Sequence, residues 1–221
     1  MPLDKKIERF YRTSETIECG VDEAGRGPLF GRVYSAAVIL DPHIEFHEYL
    51  YDSKCVTSKR RKLVRTWIEE NAISYSVAWK DEKYIDKFNI AVSTMDAMHD
   101  AIRNLNIEPE LLLIDGNKFT PYVSNDTGNF IESVVIVEGD RKYGSIAAAS
   151  ILAKEYHDEY INELCDKYPY LDDQYSLKKN KGYGTAYHIW AISKYGPTQY
   201  HRRSFLKNII PIENKIDTNF L

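Results

Sequence analysis

Three apolar runs in this chain end in acid. Cys19-Gly-Val leads into Asp22-Glu23 and then Ala-Gly25-Arg26-Gly27-Pro-Leu-Phe-Gly31, Leu111–Ile114 leads into Asp115-Gly116, and Ser133–Val137 leads into Glu138-Gly139-Asp140. Carboxylates gathered at strand ends repel one another unless cations lie between them. All-oxygen donors in that number suit Mg²⁺ or Mn²⁺. Two such ions ~4 Å apart can stabilise the attacking and leaving oxygens of a phosphoryl displacement. Gly25 and Gly27 let backbone come close to a ligand, and Arg26 between them suits a ligand with negative charge. Metal, close backbone and anion together point to phosphate chemistry. Asp115-Gly116 alone reads as a turn; the recurrence of one context three times makes a site. Neighbours on a regular strand face opposite ways, so Asp22 and Glu23 share a site only if the strand breaks between or just after them, and Gly25 and Gly27 permit that break.

A second feature lies near the end of the chain. Gln174 to Lys207 holds seven basic residues (Lys178, Lys179, Lys181, Lys194, Arg202, Arg203 and Lys207), seven aromatics and no acid. Charge to grip phosphates and flat rings to stack on sugars or bases is the composition of a nucleic-acid groove. The helix within this stretch reads as ordinary, with Tyr187, Trp190 and Tyr195 facing a core. The loop Lys178–Thr185 reads as functional, because Gly182 and Gly184 flank Tyr183 and leave its ring little steric cover.

The elements that must position these groups follow from periodicity. Residues 4–11 suit a short leading helix. Ile17–Val21 reads as a strand ended by the glycines after Glu23, and Val33–Leu40 as a strand covered on both faces. Ser58–Asn71 reads as a helix capped by Ser58, with Leu63, Val64, Trp67 and Ile68 on one face. Ile73, Tyr75, Val77 and Trp79 alternate as in a half-buried strand. Asn89–Leu105 has helical spacing, Leu111–Ile114 and Ser133–Val137 are short strands, and helices follow over 144–168 and 185–194. The expected fold class is α/β: a mixed sheet flanked by helices, with active-site groups at strand ends. The chain is expected to form a single domain over 1–221, with a catalytic core over about 15–155 and a helix-rich C-terminal lobe over about 156–210. The loop-like insertion is Thr120–Asn129.

Composition sets the remaining bounds. The 221 residues are 43% hydrophobic and 28% charged, as in an ordinary globular protein. The net charge is −4, and the basic stretch carries +7, which leaves −11 on the rest. Bulk charge therefore does not hold a nucleic acid; any basic surface is local. Three scattered cysteines, with no Cys-x-x-Cys, argue against a zinc site or disulfide framework and suit a reducing, cytoplasmic setting. No signal-peptide core and no apolar run long enough to span a membrane occur.

Taken together, the motifs resemble type 2 ribonuclease H, the ribonuclease HII family, from about residue 17 to residue 206. Asp22-Glu-Ala-Gly-Arg-Gly-Pro28 is similar to its opening motif, and Asp52-Ser-Lys54 to its second. Asn89-Ile with Thr94 and Ala97-Met98 resembles its helix motif, and Leu113-Ile-Asp115-Gly116 its third-acid strand. Gly139-Asp140 with Ser145–Lys154, Lys181–Thr185 with His188, and His201–Phe205 resemble the remaining signatures. Cys55-Val56 departs from the usual polar–leucine pair.

The resemblance implies a ribonuclease H-like fold and an endonuclease that cuts the RNA strand of RNA–DNA hybrids. It also implies nicking of duplex DNA 5′ of embedded ribonucleotides, leaving 3′-hydroxyl and 5′-phosphate ends, within ribonucleotide excision repair. By the match, Asp22, Glu23, Asp115 and Asp140 bind Mg²⁺ or Mn²⁺. Gly25, Arg26 and Gly27 touch the ribonucleotide's 2′-hydroxyl, Lys54 meets the substrate backbone, and Tyr183 stacks beside the ribose–deoxyribose junction. The expected protein is a monomer with no membrane partner. No sliding-clamp motif is evident at Asp217–Leu221. Arg26 and the early position of Asp22 favour type 2 over type 3. A junction resolvase on the same fold is disfavoured by the 139–154 run, and a catalytically silent nucleic-acid-binding module would have lost a strand-end acid.

Overall fold

A computed structural model describes residues 7–124, 127–207 and 209. Five strands form one sheet: β1 (Glu18–Ala24), β2 (Val33–Ile39), β3 (Ser74–Lys80), β4 (Leu111–Asp115) and β5 (Glu132–Ile136), in the order β3-β2-β1-β4-β5. β1, β2 and β3 pair antiparallel, whereas β4 runs parallel to β1 and β5 parallel to β4. The sheet is therefore mixed, as expected. β1 lies at its centre, so the Asp22-Glu23 pair sits toward the end of the central strand.

Helices cover both faces. On one, α2 (Glu82–Arg103) packs Met98, Ala101 and Ile102 on Cys19, Val21, Ala37, Leu112 and Ile114. On the other, α1 (Ser58–Asn71) and α3 (Gly144–Lys167) enclose Ala36 and Val38 with Val64, Ile68 and the small residues Ala147–Ala149. Each wholly buried Leu, Ile or Val contributes roughly 1.5–3 kcal/mol. The small residues of α3 let it lie close on β1; a Cβ on Gly20 would meet the Ser145 carbonyl carbon at 2.1 Å. After α3 come α4 (Tyr170–Tyr175), α5 (Leu177–Asn180) and α6 (Ala186–Tyr195). Leu171, Tyr175 and Ile192 share a core with Leu29, Phe30 and Tyr34, which joins this lobe to the segment after β1.

Several expectations are corrected. Residues 7–11 are not helical: Glu8 bridges Tyr143, with hydrogen bonds to Lys142 and Gly144 of 2.7 and 3.0 Å. Residues 4–6 lie outside the described ones. β1 runs on to Ala24 rather than ending at Val21. In β3 both alternate sets meet core: Ser74, Ser76 and Ala78 are buried beneath α2, Tyr75 and Val77 are half-buried against the α1 and α3 face, and Trp79 is exposed. Small side chains let α2 approach, and Trp79 projects from this edge strand. Helix α1 has Thr57, not Ser58, at its N-cap, and Leu63 is exposed. Helix α2 begins at Glu82, seven residues early, and kinks at Asn89, whose φ of 68° interrupts it. The Asn89 Oδ1 then accepts from the Ala91 and Val92 N–H groups and restarts the helix.

Candidate active site

Asp22 and Glu23 stand in regular register opposite Ala36 and Ser35 of β2, so they leave the sheet on opposite faces. Asp22 points to the α3 side and is 5% exposed; Glu23 points toward α2 and is partly exposed. The break falls just after the pair, at Gly25, where φ is +87° and a side chain would be strained. Asp22 accepts from the Glu23 N–H at 2.6 Å, and the Ser150 hydroxyl of α3, hydrogen-bonded to Ser53 at 2.9 Å, lies near enough to favour its charged form.

Asp115 closes β4 beside β1. Its Oδ1 accepts from the Gly139 N–H at 2.7 Å, so it anchors the 3₁₀ turn Gly139–Arg141 that carries Asp140. Asp140 is 4% exposed. The four acids are thus brought to one end of the central strands from three separate segments.

Their electrostatics show the crowding. Burial, then Glu23 and Asp115, push the Asp22 carboxyl well above its usual range. Burial also raises Glu23; Arg26, 3.1 Å away, opposes this and Asp115 adds to it. Asp140 is raised to about 6 by burial, then by Asp52 and Asp115. Among the described residues no three His, Cys, Asp or Glu side chains form a ready-made metal cage. Like charges hold apart, and Asp22, Asp115 and Glu23 each commit an oxygen to a local donor. The donor set is nevertheless all carboxylate oxygen, with ionisation opposed by mutual repulsion, which is the chemistry a hard divalent cation relieves.

Lys54 is exposed beside this cluster. Partial desolvation lowers its ammonium pKa, but Asp140, Asp22, Asp52 and Asp115 outweigh that and hold it above its ordinary value. Asp52 was not foreseen as part of the site. It is 1% exposed, accepts from the Lys54 N–H and from Arg141 Nε at 2.8 and 3.0 Å, and sits close enough to Asp140 for its charge to raise that carboxyl. Burial opposes ionisation of Asp52, yet these donors keep its pKa below the usual value. A cavity of about 850 Å³ opens next to Glu23 and Asp115, walled by Arg26, Ala91, Met95 and Phe119.

The Gly25-Arg26-Gly27 loop meets Tyr183. A Cβ on Gly27 would lie 3.3 Å from the Tyr183 ring, and the Leu29 N–H donates to the Gly182 carbonyl at 2.8 Å. Tyr183 is 44% exposed. Its carbonyl accepts from His188 Nδ1 at 2.9 Å, so His188 Nε2 is left to accept from His201 Nε2 at 3.1 Å. Both rings are held neutral by burial, His201 with its pKa down to about 3. They brace the Tyr183 loop.

The basic stretch is more divided than its composition suggests. Arg202 is fully buried and does not face outward. Lys178 pairs with Asp166, and Lys181 reaches Asn162 at 2.6 Å. Lys179, Lys194, Arg203 and Lys207 are exposed. Tyr187, Trp190 and Tyr195 are not core residues: they are 44–47% exposed, with Lys194 over the Trp190 and Tyr195 rings. Helix α6 instead buries His188, Ala191 and Ile192. The residues 217–221 lie outside the described ones. Among the described residues no helix is long and apolar enough to cross a membrane.

Comparison with known proteins agrees with this architecture. The family model described as Ribonuclease HII matches residues 19–208. The ribonuclease HII of Caldicellulosiruptor bescii is 48% identical over 209 residues, which is 95% of this chain and 94% of that protein. The crystal structure of the ribonuclease H2 from Pyrococcus horikoshii OT3 superposes with a TM-score of 0.66 at 26% identity, covering 85% of this chain and 92% of that one. Bst ribonuclease HIII, solved in complex with Mn²⁺, shares the fold with a TM-score of 0.59 at 22% identity, over 81% of this chain and 61% of that one.

Proposed function

The chain belongs to the ribonuclease HII family, endonucleases that cleave the RNA of RNA–DNA hybrids, and we propose that it also nicks duplex DNA 5′ of single embedded ribonucleotides. Asp22, Glu23, Asp115 and Asp140 would hold divalent metal, Mg²⁺ or Mn²⁺ in a two-ion arrangement. When bound, such ions stabilise charge on the attacking and leaving oxygens of the scissile phosphodiester. The observation that carries this reading is the Asp115–Gly139 hydrogen bond of 2.7 Å, which ties the acid of one strand to the turn bearing another beside the Asp22-Glu23 pair.

The chain's own groups take the remaining roles. Gly139 and Ser150 orient the Asp115 and Asp22 carboxylates. Lys54 supplies positive charge next to them and meets a substrate phosphate. The Gly25–Gly27 backbone receives the ribose, and Arg26 carries positive charge at the cavity wall. Tyr183, packed on Gly27, stacks against the sugar that follows. Lys179, Lys194 and Arg203, with the exposed rings of Tyr187 and Trp190, extend a basic aromatic surface for a duplex arm. The products would be 3′-hydroxyl and 5′-phosphate ends.

We read the chain as one catalytic unit, core and C-terminal lobe together, working as a monomer in a reducing cytoplasmic setting and serving ribonucleotide excision repair. The test is cleavage of a labelled DNA duplex with one ribonucleotide and of a continuous RNA–DNA hybrid, with Mg²⁺ or Mn²⁺ and with excess chelator. Cleavage of the hybrid alone would confine the activity to hybrids.

A further inference from the structure

Arg202 is among the most enclosed side chains in the protein, with 0% exposure, and among the described residues it has no carboxylate within ion-pair distance. A buried charge without a counter-ion is costly unless its hydrogen bonds are complete. Here they are complete. Nε donates to the Gly31 carbonyl at 2.8 Å, Nη1 to those of Arg26 and Pro28 at 3.1 and 2.8 Å, and Nη2 to those of Gly25 and Arg32 at 2.6 and 3.0 Å. A guanidinium has five N–H donors, and all five are used on one loop. Burial pulls its pKa down to about 10, which leaves it charged at neutral pH.

The direction of this grip has a consequence. In a trans peptide the C=O and the following N–H point opposite ways. The carbonyls of Gly25 and Arg26 point at the guanidinium, so the N–H groups of Arg26 and Gly27 point away from it. Neither N–H makes a hydrogen bond within the described residues. Gly27 lies beneath the Tyr183 ring, so these free donors open beside that ring. Positive charge behind a carbonyl also polarises its peptide and strengthens the N–H on the far side.

We propose that Arg202 is a positioning residue for ribonucleotide recognition: it sets the two peptide planes so that the Arg26 and Gly27 N–H groups are presented to the substrate's 2′-hydroxyl oxygen. The proposal rests on the reading of Gly25–Gly27 as the ribose-contacting element. It also couples the segment after α6 to the strand-end acids, since the gripped loop follows Asp22-Glu23 directly.

The experiment compares the full chain with Arg202→Lys and Arg202→Gln, in metal, on a duplex containing one ribonucleotide. The same duplex in all-deoxy form serves as a competitive inhibitor. The inhibition constant of the deoxy duplex should stay within about twofold, while KM for the ribonucleotide duplex rises toward it. The preference should shrink about tenfold, the scale of one lost hydrogen bond, and Lys should retain more of it than Gln. Equal weakening of both duplexes would make Arg202 a plain structural tether and overturn its role. So would a preference that survives both substitutions. If the unsubstituted chain itself shows no preference, the ribose reading of the loop falls first. Should the variants not fold, amide ¹⁵N relaxation of the unsubstituted chain decides. Arg26 and Gly27 should show order parameters near about 0.85 despite unbonded N–H groups, and values below about 0.6 would refute the grip.

Discussion

Replacing Asp140 with Asn should stabilise the metal-free protein at neutral pH while abolishing its activity. The Asp140 carboxyl is 4% exposed, and its pKa is raised from 3.8 to about 6 by burial, Asp52 and Asp115. A carboxyl raised on folding keeps its proton where the unfolded chain has lost it. Its contribution to stability is therefore complete below about pH 4 and is lost as the pH rises through about 6. The displacement of about 2 pKa units corresponds to roughly 3 kcal/mol at full strength. Solvent at the mouth of the site screens the charges and reduces this to about 1–2 kcal/mol. In a chain of this size 1 kcal/mol moves Tm by roughly 2–4 °C. Asn keeps the shape, can donate to Asp52 and cannot ionise. Thermal unfolding in excess chelator, at about pH 5 and about pH 7.5, reads the difference. The variant should melt several degrees above the parent at the higher pH, and the gap should narrow at the lower. Added Mn²⁺ should raise the parent's Tm more than the variant's. If Asp140→Asn melts below the parent by the same margin at both pH values, the charge-crowding argument is wrong.

Tyr183→Ala should lose about ten- to a hundredfold at an isolated ribonucleotide, since stacking on one ring is worth ~1–3 kcal/mol. It should lose less on a continuous hybrid, and single-turnover cleavage of both substrates measures the difference. Binding should weaken with salt, but with a slope set by the exposed cations. If Lys179, Lys194, Arg203 and Lys207 each meet one phosphate, this segment contributes roughly −3 to −4 to the log–log slope, rather than the larger value for all seven basic residues. A binding isotherm for Lys179→Ala that keeps the full slope would place that lysine off the substrate. Glu155→Ala should cost about 2 kcal/mol in denaturant unfolding, because it removes the 2.6 Å partner of the buried Arg61 and leaves that guanidinium, which also ties down the Ser53 and Val56 carbonyls, only Asp158 at 3.4 Å as counter-ion.

The acids were legible in the sequence because their context is local: an apolar run, then a carboxylate, then a glycine or turn. The strand partners follow from the same runs, and the mixed sheet from their order among the helices. Tyr183 was legible because two glycines flank it. What could not be read depends on segments far apart in the chain. Ser150 lies inside a run that reads only as helix packing, yet its hydroxyl supports Asp22. Asp52 sits in a short polar motif, and only the fold brings it to Asp140. Arg202 looks like one more cation in a basic stretch; its partners are carbonyls some 170 residues earlier, and a sequence shows no carbonyl directions. The same limit explains α6. Helical spacing places Tyr187, Trp190 and Lys194 on one face, but which face meets the core was decided by His188, Ala191 and Ile192. In β3 both faces are covered, α2 closing on Ser74, Ser76 and Ala78 while Tyr75 and Val77 pack toward α1 and α3, so alternation alone does not say which set is the more deeply buried.

The most direct test of the four-acid site is cleavage of a duplex with a single ribonucleotide by the parent and by Asp115→Asn, with the ends mapped to the nucleotide. With Mg²⁺ or Mn²⁺ the parent should nick 5′ of the ribonucleotide, leaving a 3′-hydroxyl and a 5′-phosphate. Both excess chelator and Asp115→Asn should reduce the rate by orders of magnitude, with Asp115→Asn still folded by circular dichroism. Undiminished nicking in chelator, or by a folded Asp115→Asn, would contradict the account.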